Sequence, residues 1–123
     1  MAKTLLYGDV MLKKNVLRNK KDFSAIYNRG NSFGGKYVVI FCRRNNLGYN
    51  RLGFLASKKV GNSVVRNRAR RLMKESFRNM KSELKEGFDI ILIARNSIKD
   101  VKCNEVQKSM NFLLKKAGLI KNE

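Results

Sequence analysis

Lys58-Lys59-Val60-Gly61-Asn62-Ser63-Val64-Val65-Arg66-Asn67-Arg68-Ala69-Arg70-Arg71-Leu72 is a basic loop leading into a helix, and the rest of the chain is arranged around it. At about 100° per residue, Val65, Ala69, Leu72, Met73, Ser76 and Met80 fall on one side, and Asn67, Arg68, Arg70, Arg71, Lys74 and Arg78 fall largely on the other. From Lys58 to Lys81 there are nine Lys or Arg against one acid, Glu75. One side suits a core and the other an anion. Asn62 after Gly61 is a good N-cap, and cations beside a helix N-terminus oppose the dipole, a cost that a bound phosphate would offset. An ordinary Lys/Arg helix is a solvated face. Here the scarcity of acids and the richness in Arg, whose guanidinium matches phosphate bidentately, favour a polyanion.

Outward from this helix stand two β-rich runs, Arg51–Ser57 before it and Phe88–Ala94 after it, the latter the most hydrophobic strand in the chain. Strand, helix, strand suggests a crossover. Gly87 is read as the stop of a helix running from about Ser63 into the low eighties. Further upstream, Tyr37–Cys42 is apolar on both parities, with a turn over 45–50, so it is most simply paired antiparallel with the 51–57 run. Asn19 can cap a short helix over Lys20 to Arg29, ended by Gly30, with an extra short strand near Asn31 to Phe33. Cys103, Val106, Met110, Leu113, Leu114 and Ala117 mark a last helical stripe. The expected fold is a two-layer α+β domain. Residues 11–118 form it, 1–10 being a poorly ordered extension and 119–123 a tail.

Composition points to the partner. In 123 residues, 28 Lys and Arg face 9 Asp and Glu, a net +19 that solubility does not require. No apolar run approaches the roughly 20 residues of a membrane span, so nucleic acid is favoured over lipid. Met1 to Val10 lacks the apolar core and small-residue cleavage site of a secretory signal, and Cys42 and Cys103 look like buried thiols, which predicts a cytoplasmic protein.

Catalytic chemistry is hard to find in the chain. There is no histidine, so neither a His base nor a zinc set exists. Of the acids only Glu83, Glu86 and Asp89 lie close together, and these read as surface charges. Binding is left. Phe23 and Tyr27 share a helix face, and Tyr37, Val39 and Phe41 share a strand parity between Lys36 and Arg43. Either these five are core, as aromatics at such spacing usually are, or they form a stacking face for single-stranded RNA; exposure of Phe41 or Tyr27 separates the two.

The run from Lys58 to Leu72, centred on Arg66-Asn67-Arg68, resembles the signature of the bacterial ribonuclease P protein component. Supporting matches are Asp22-Phe23 with Tyr27, Ser32-Phe33-Gly34-Gly35-Lys36-Tyr37, Arg51-Leu52-Gly53-Phe54 and Ile91-Leu92-Ile93-Ala94-Arg95, in the right order over about Leu12 to Ala117. The resemblance implies an αβββαβα sandwich with a left-handed βαβ crossover, like domain 2 of ribosomal protein S5, where residue-level rules alone favour the right hand. It implies a protein that joins ribonuclease P RNA and helps it remove the 5′ leader of precursor tRNA. The RNA and Mg2+, held mainly by that RNA and the substrate, would do the chemistry, with no organic cofactor, membrane or further protein partner. Lys58, Lys59, Asn62, Arg66, Asn67, Arg68, Arg70, Arg71 and Lys74 would contact the RNA subunit, and Phe23, Tyr27, Ser32, Lys36, Val39 and Phe41 would hold the leader. Tyr27 stands where the family often has Phe, and Met1 to Val10 precede its usual start. The competing reading is a ribosomal or other structural RNA-binding protein.

Overall fold

Helix α1 forms over Lys20–Arg29 because Asn19, itself extended, accepts a hydrogen bond from Lys21 N at 2.9 Å and so satisfies a free donor of the first turn. Gly30 ends it through close approach, since a Cβ there would stand 2.5 Å from the Cys42 oxygen and 2.6 Å from that of Ile26. The chain thus turns directly from α1 into β3 (Asn31–Gly34), which pairs antiparallel with β4 (Val38–Arg44), Ser32 opposite Phe41 and Gly34 opposite Val39. This is a computed structural model, and it describes residues 6–7, 10–11, 13–80 and 83–121. Within the N-terminal stretch, β1 (Leu6–Tyr7) and β2 (Val10–Met11) pair antiparallel; the expectation of poor order for 1–10 otherwise lies outside the described residues.

The expected pairing of the 37–42 and 51–57 runs does not occur. β6 (Phe88–Ala94) lies between β4 and β5 (Arg51–Leu55), antiparallel to the first and parallel to the second, giving the order β3-β4-β6-β5. The reason lies in β6 itself: Ile90 and Leu92 of one parity and Ile91 of the other are all fully buried. A strand apolar on both faces needs cover on both and belongs at the centre of a sheet, where a β4–β5 hairpin would have left it at an edge.

Helix α2 (Ser63–Arg78) is the connection between parallel β5 and β6. It stops at Arg78, short of the low eighties, with Asn79 as its C-cap. Gly87 is therefore no helix stop; at φ 95° it makes the turn into β6, its carbonyl accepting Asn45 N at 2.8 Å. Helix α3 (Cys103–Lys116) lies beside α2, and together they cover one face of the sheet, Ala69, Met73, Phe77, Met110 and Leu113 meeting Val38, Ile40, Leu52 and Leu92 in one cluster. That is the expected α+β class. Helix α1 lies on the other face, where Leu17, Ile26 and Ile91 form a smaller cluster with Phe23, Phe41, Leu55 and Ile93 around it.

Beyond α3 the chain does not simply trail off. Leu119 is 1% exposed, its carbonyl accepts Lys85 N, and Lys121 N donates to the Glu83 oxygen, so 119–121 close onto 83–85. A buried leucine needs that cover, which is why these residues belong to the fold.

Candidate nucleic-acid interface

The basic helix begins as its sequence requires. Asn62 Oδ1 accepts Val65 N at 3.0 Å, and Gly61 before it has φ 153°, where a Cβ would meet Val65 side-chain atoms at 2.9 Å. Val60, 1% exposed, anchors the preceding loop, and Lys58 and Lys59 beside it are exposed. Asn62, Asn67, Arg71 and Lys74 are exposed as well, with Arg66, Arg68 and Arg70 half-buried. The single acid of α2, Glu75, is taken by Arg78 at 2.6 Å. Among the described residues, no carboxylate pairs with Lys58, Lys59, Arg66, Arg71 or Lys74.

The three central arginines differ. Arg70 Nη2 donates to Asn67 Oδ1 at 2.7 Å, an i,i+3 contact at the surface. Arg66 Nε is buried without a hydrogen-bond partner among the described residues. Arg68 is committed inside the fold: Nη1 donates to the Lys99 oxygen at 2.6 Å and Nη2 to that of Val101 at 3.0 Å. It ties α2 to the turn before α3, whose N-cap residue Lys102 makes no side-chain cap.

On the other face of the sheet, Tyr27 is 40% exposed and stands edge-on to Phe41, their centroids 5.0 Å apart, with Phe23 at 6.4 Å from Tyr27. Phe23, Val39 and Phe41 are half-buried and Ser32 is exposed. Burial raises the pKa of the Tyr27 phenol. The exposed Tyr27 argues against a wholly core role for these aromatics, though Phe23 and Phe41 also pack in the small cluster. Tyr37 does not share this face. It is 7% exposed in the α2–α3 core, with its hydroxyl hydrogen-bonded to Glu105 Oε1 at 3.3 Å. The chain bends at 36–37, ahead of β4, so strand alternation does not extend back to Tyr37.

An open hollow of about 610 Å³ is lined by Lys36, Lys59, Arg95, Ser57, Asn96 and Ser97 with Gly35 and Ala94. Arg95 Nη1 donates to the Gly35 oxygen at 3.1 Å and Ser97 Oγ to that of Lys36 at 2.5 Å, which joins the loop before β4 to the end of β6. Ser57, Asn96 and Ser97 escape a reading by motif chemistry, and Arg95 enters it only as the end of a supporting match, with no role assigned. Their signal is positional, as polar residues just past strand ends, where binding groups commonly sit on loops.

Asp89 corrects the reading of three surface acids. Glu83 and Glu86 are exposed, but Asp89 is 4% exposed and holds Arg51 by a fork, Nε to Oδ1 at 2.8 Å and Nη2 to Oδ2 at 2.7 Å, while Asn45 Nδ2 donates to Oδ1 at 2.8 Å. The third Arg51 nitrogen reaches Asp22 Oδ2 at 3.1 Å. The Asp89 hydrogen bond raises the Arg51 pKa. Arg51 and Asp89 are register partners of the parallel β5–β6 pair, a neighbourhood that the expected hairpin concealed. A carboxylate out of water needs such a partner. Among the described residues no three His, Cys, Asp or Glu gather as a metal set.

The family model for ribonuclease P matches residues 11–118. The chain belongs to the ribonuclease P protein family. The ribonuclease P protein component of Clostridium botulinum (strain 657 / Type Ba4) is 44% identical over 109 residues, covering 88% of this chain and 98% of the relative. The Staphylococcus aureus RNase P protein structure superposes with a TM-score of 0.78 at 34% identity over 87% of this chain and 98% of that one. For the Thermotoga maritima RNase P protein the values are 0.75 and 33%, over 86% and 97%. The signature residues around Arg66-Asn67-Arg68 thus belong to a ribonuclease P protein, on the α+β fold that its relatives share.

Proposed function

We propose that this chain is the protein subunit of ribonuclease P, which docks on the catalytic RNA through α2 and holds the 5′ leader of precursor tRNA against the α1 side of the sheet. The observation that carries this reading is the cationic stretch from Lys58 to Lys74, where no carboxylate among the described residues pairs with Lys58, Lys59, Arg66, Arg71 or Lys74, on a chain that also carries an open aromatic face at Tyr27 and Phe41. Unpaired RNA is held by stacking plus phosphate contact, which aromatics and cations supply, and Lys36, Lys59 and Arg95 bring three cations to one hollow. Lys58, Lys59, Asn62, Arg66, Asn67, Arg70, Arg71 and Lys74 are the proposed contacts to the RNA subunit. Phe23, Tyr27, Ser32, Lys36, Val39 and Phe41 form the proposed leader cleft. Arg68, assigned to the RNA by resemblance, has its guanidinium occupied by two carbonyls and is given a tethering role.

Hydrolysis of the leader then falls to the RNA. The chain has no histidine to act as a base, and Asp22 and Asp89 are paired with Arg51 and Glu75 with Arg78, which leaves these three carboxylates poorly suited to hold Mg2+. Magnesium at the RNA supplies a Lewis acid and an activated water. The protein's part is to bind, orient and screen phosphate charge. No described helix is long and apolar enough to cross a membrane; a cytoplasmic location is part of this proposal, because the RNA and tRNA partners would be met there. No second protein is required.

The test mixes the protein with a bacterial ribonuclease P RNA and precursor tRNA at low Mg2+. Faster leader removal than by the RNA alone is expected. Binding without any gain in cleavage would favour the structural RNA-binding protein instead.

A further inference from the structure

Helix α1 carries two of the cleft's aromatics, yet Ile26 is its one fully buried residue. Two contacts from β5 supplement that thin apolar hold. The first is Arg51, fixed at the sheet by its fork on buried Asp89 and reaching with its remaining nitrogen to Asp22 in the first turn of α1. The second lies two residues along the strand and so on the same face: a Cβ at Gly53 would meet Phe23 Cε1 and Cζ at 3.2 Å, so the phenyl ring rests against bare backbone. Asp22 and Phe23 are neighbours, so both contacts seat the same end of α1. Tyr27 lies about one turn further along and faces Phe41 of β4 at 5.0 Å.

We propose that the Asp22–Arg51–Asp89 bridge is a positioning device for the aromatic cleft: without touching the leader, Arg51 sets how α1 lies over β4, and through that the preference for precursor over mature tRNA. This rests on the leader-cleft reading above. A planar, forked guanidinium suits the role, because one group can be locked on a β6 carboxylate and still present a directed donor to a helix. Lysine cannot do both. Arg51 and Asp89 are rigid sheet residues, whereas α1 is the lightly buried partner, so loss of the bridge moves the helix and leaves the sheet in place.

The experiment uses the holoenzyme, assembled from a bacterial ribonuclease P RNA and the full chain carrying Asp22→Ala, Asp22→Glu or Arg51→Lys. Affinities for precursor tRNA, for mature tRNA and for the RNA subunit are measured, with amide hydrogen exchange of α1 and β6. With Asp22→Ala and Arg51→Lys the precursor-to-mature ratio should fall about three- to tenfold, with α1 amides exposed sooner and β6 unchanged. Asp22→Glu should recover part of the ratio, and RNA-subunit affinity should stay within about twofold, because α2 is untouched. A folded Asp22→Ala protein that keeps the wild-type ratio overturns the proposal. So does equal loss of RNA-subunit and precursor affinity, which would reduce the bridge to general stability. If wild-type holoenzyme shows no preference for precursor, the leader-cleft reading itself fails.

Discussion

Arginines that look alike in the sequence are given different work by their surroundings. Arg66 is half-buried with its Nε out of solvent and Arg70 leans on Asn67 at the surface, while Arg68 spends two nitrogens on the Lys99 and Val101 carbonyls. Removing charge at Arg66 and Arg70 together should flatten the salt dependence of holoenzyme assembly by about one unit of slope per lost phosphate contact. Arg68→Ala should leave that slope unchanged and instead lower stability by about 1–3 kcal/mol, since two carbonyls lose a charged donor. Salt titrations and denaturant melts of the three variants check both statements. In the cleft, Tyr27→Ala should weaken precursor binding relative to mature tRNA by about 1–3 kcal/mol if a base stacks there, with little change in stability because Tyr27 is 40% exposed. Phe41→Ala should lower both, since Phe41 also packs in the small cluster. The two thiols separate in the same manner. Burial raises the Cys42 pKa, so its thiolate is scarcer at any given pH, and alkylation followed by mass spectrometry should label half-buried Cys103 first.

At the scale of elements, α2 is held at its entry by two local devices that its sequence declares. Asn62→Ala removes the hydrogen bond to Val65 N and should cost about 0.5–2 kcal/mol. Gly61→Ala should cost about 1–3 kcal/mol, since φ 153° is strained for an L side chain and the new methyl would crowd Val65. Thermal melts measure both, and because the loop carries Lys58 and Lys59, Gly61→Ala should weaken RNA-subunit binding as well. Helix α1 differs: its cap at Asn19 is local, but its seat depends on Arg51 and Gly53 from a strand far along the chain. That makes α1 legible as a helix, while its seat on the sheet is not.

For the whole molecule the net +19 acts in two directions. Self-repulsion weakens the folded state, so the free protein's melting temperature should rise with added salt, whereas assembly with RNA should weaken as counterion release loses its advantage. Melting and binding measured over one salt series should therefore slope in opposite senses; parallel slopes would mean that the charge is not held for a polyanion. What the sequence determined by itself was short-range: the caps at Asn19 and Asn62 and the apolar stripe of α2 with its cationic side. Periodicity and capping act over a few residues, so they survive without knowledge of neighbours. Tertiary structure decided the rest. It put β6 between β4 and β5, made Arg51 and Asp89 partners, turned Tyr37 into the core and gave Arg68 two carbonyls to hold. Each depends on which distant segment lies alongside, and that was set by where a strand apolar on both faces could be covered.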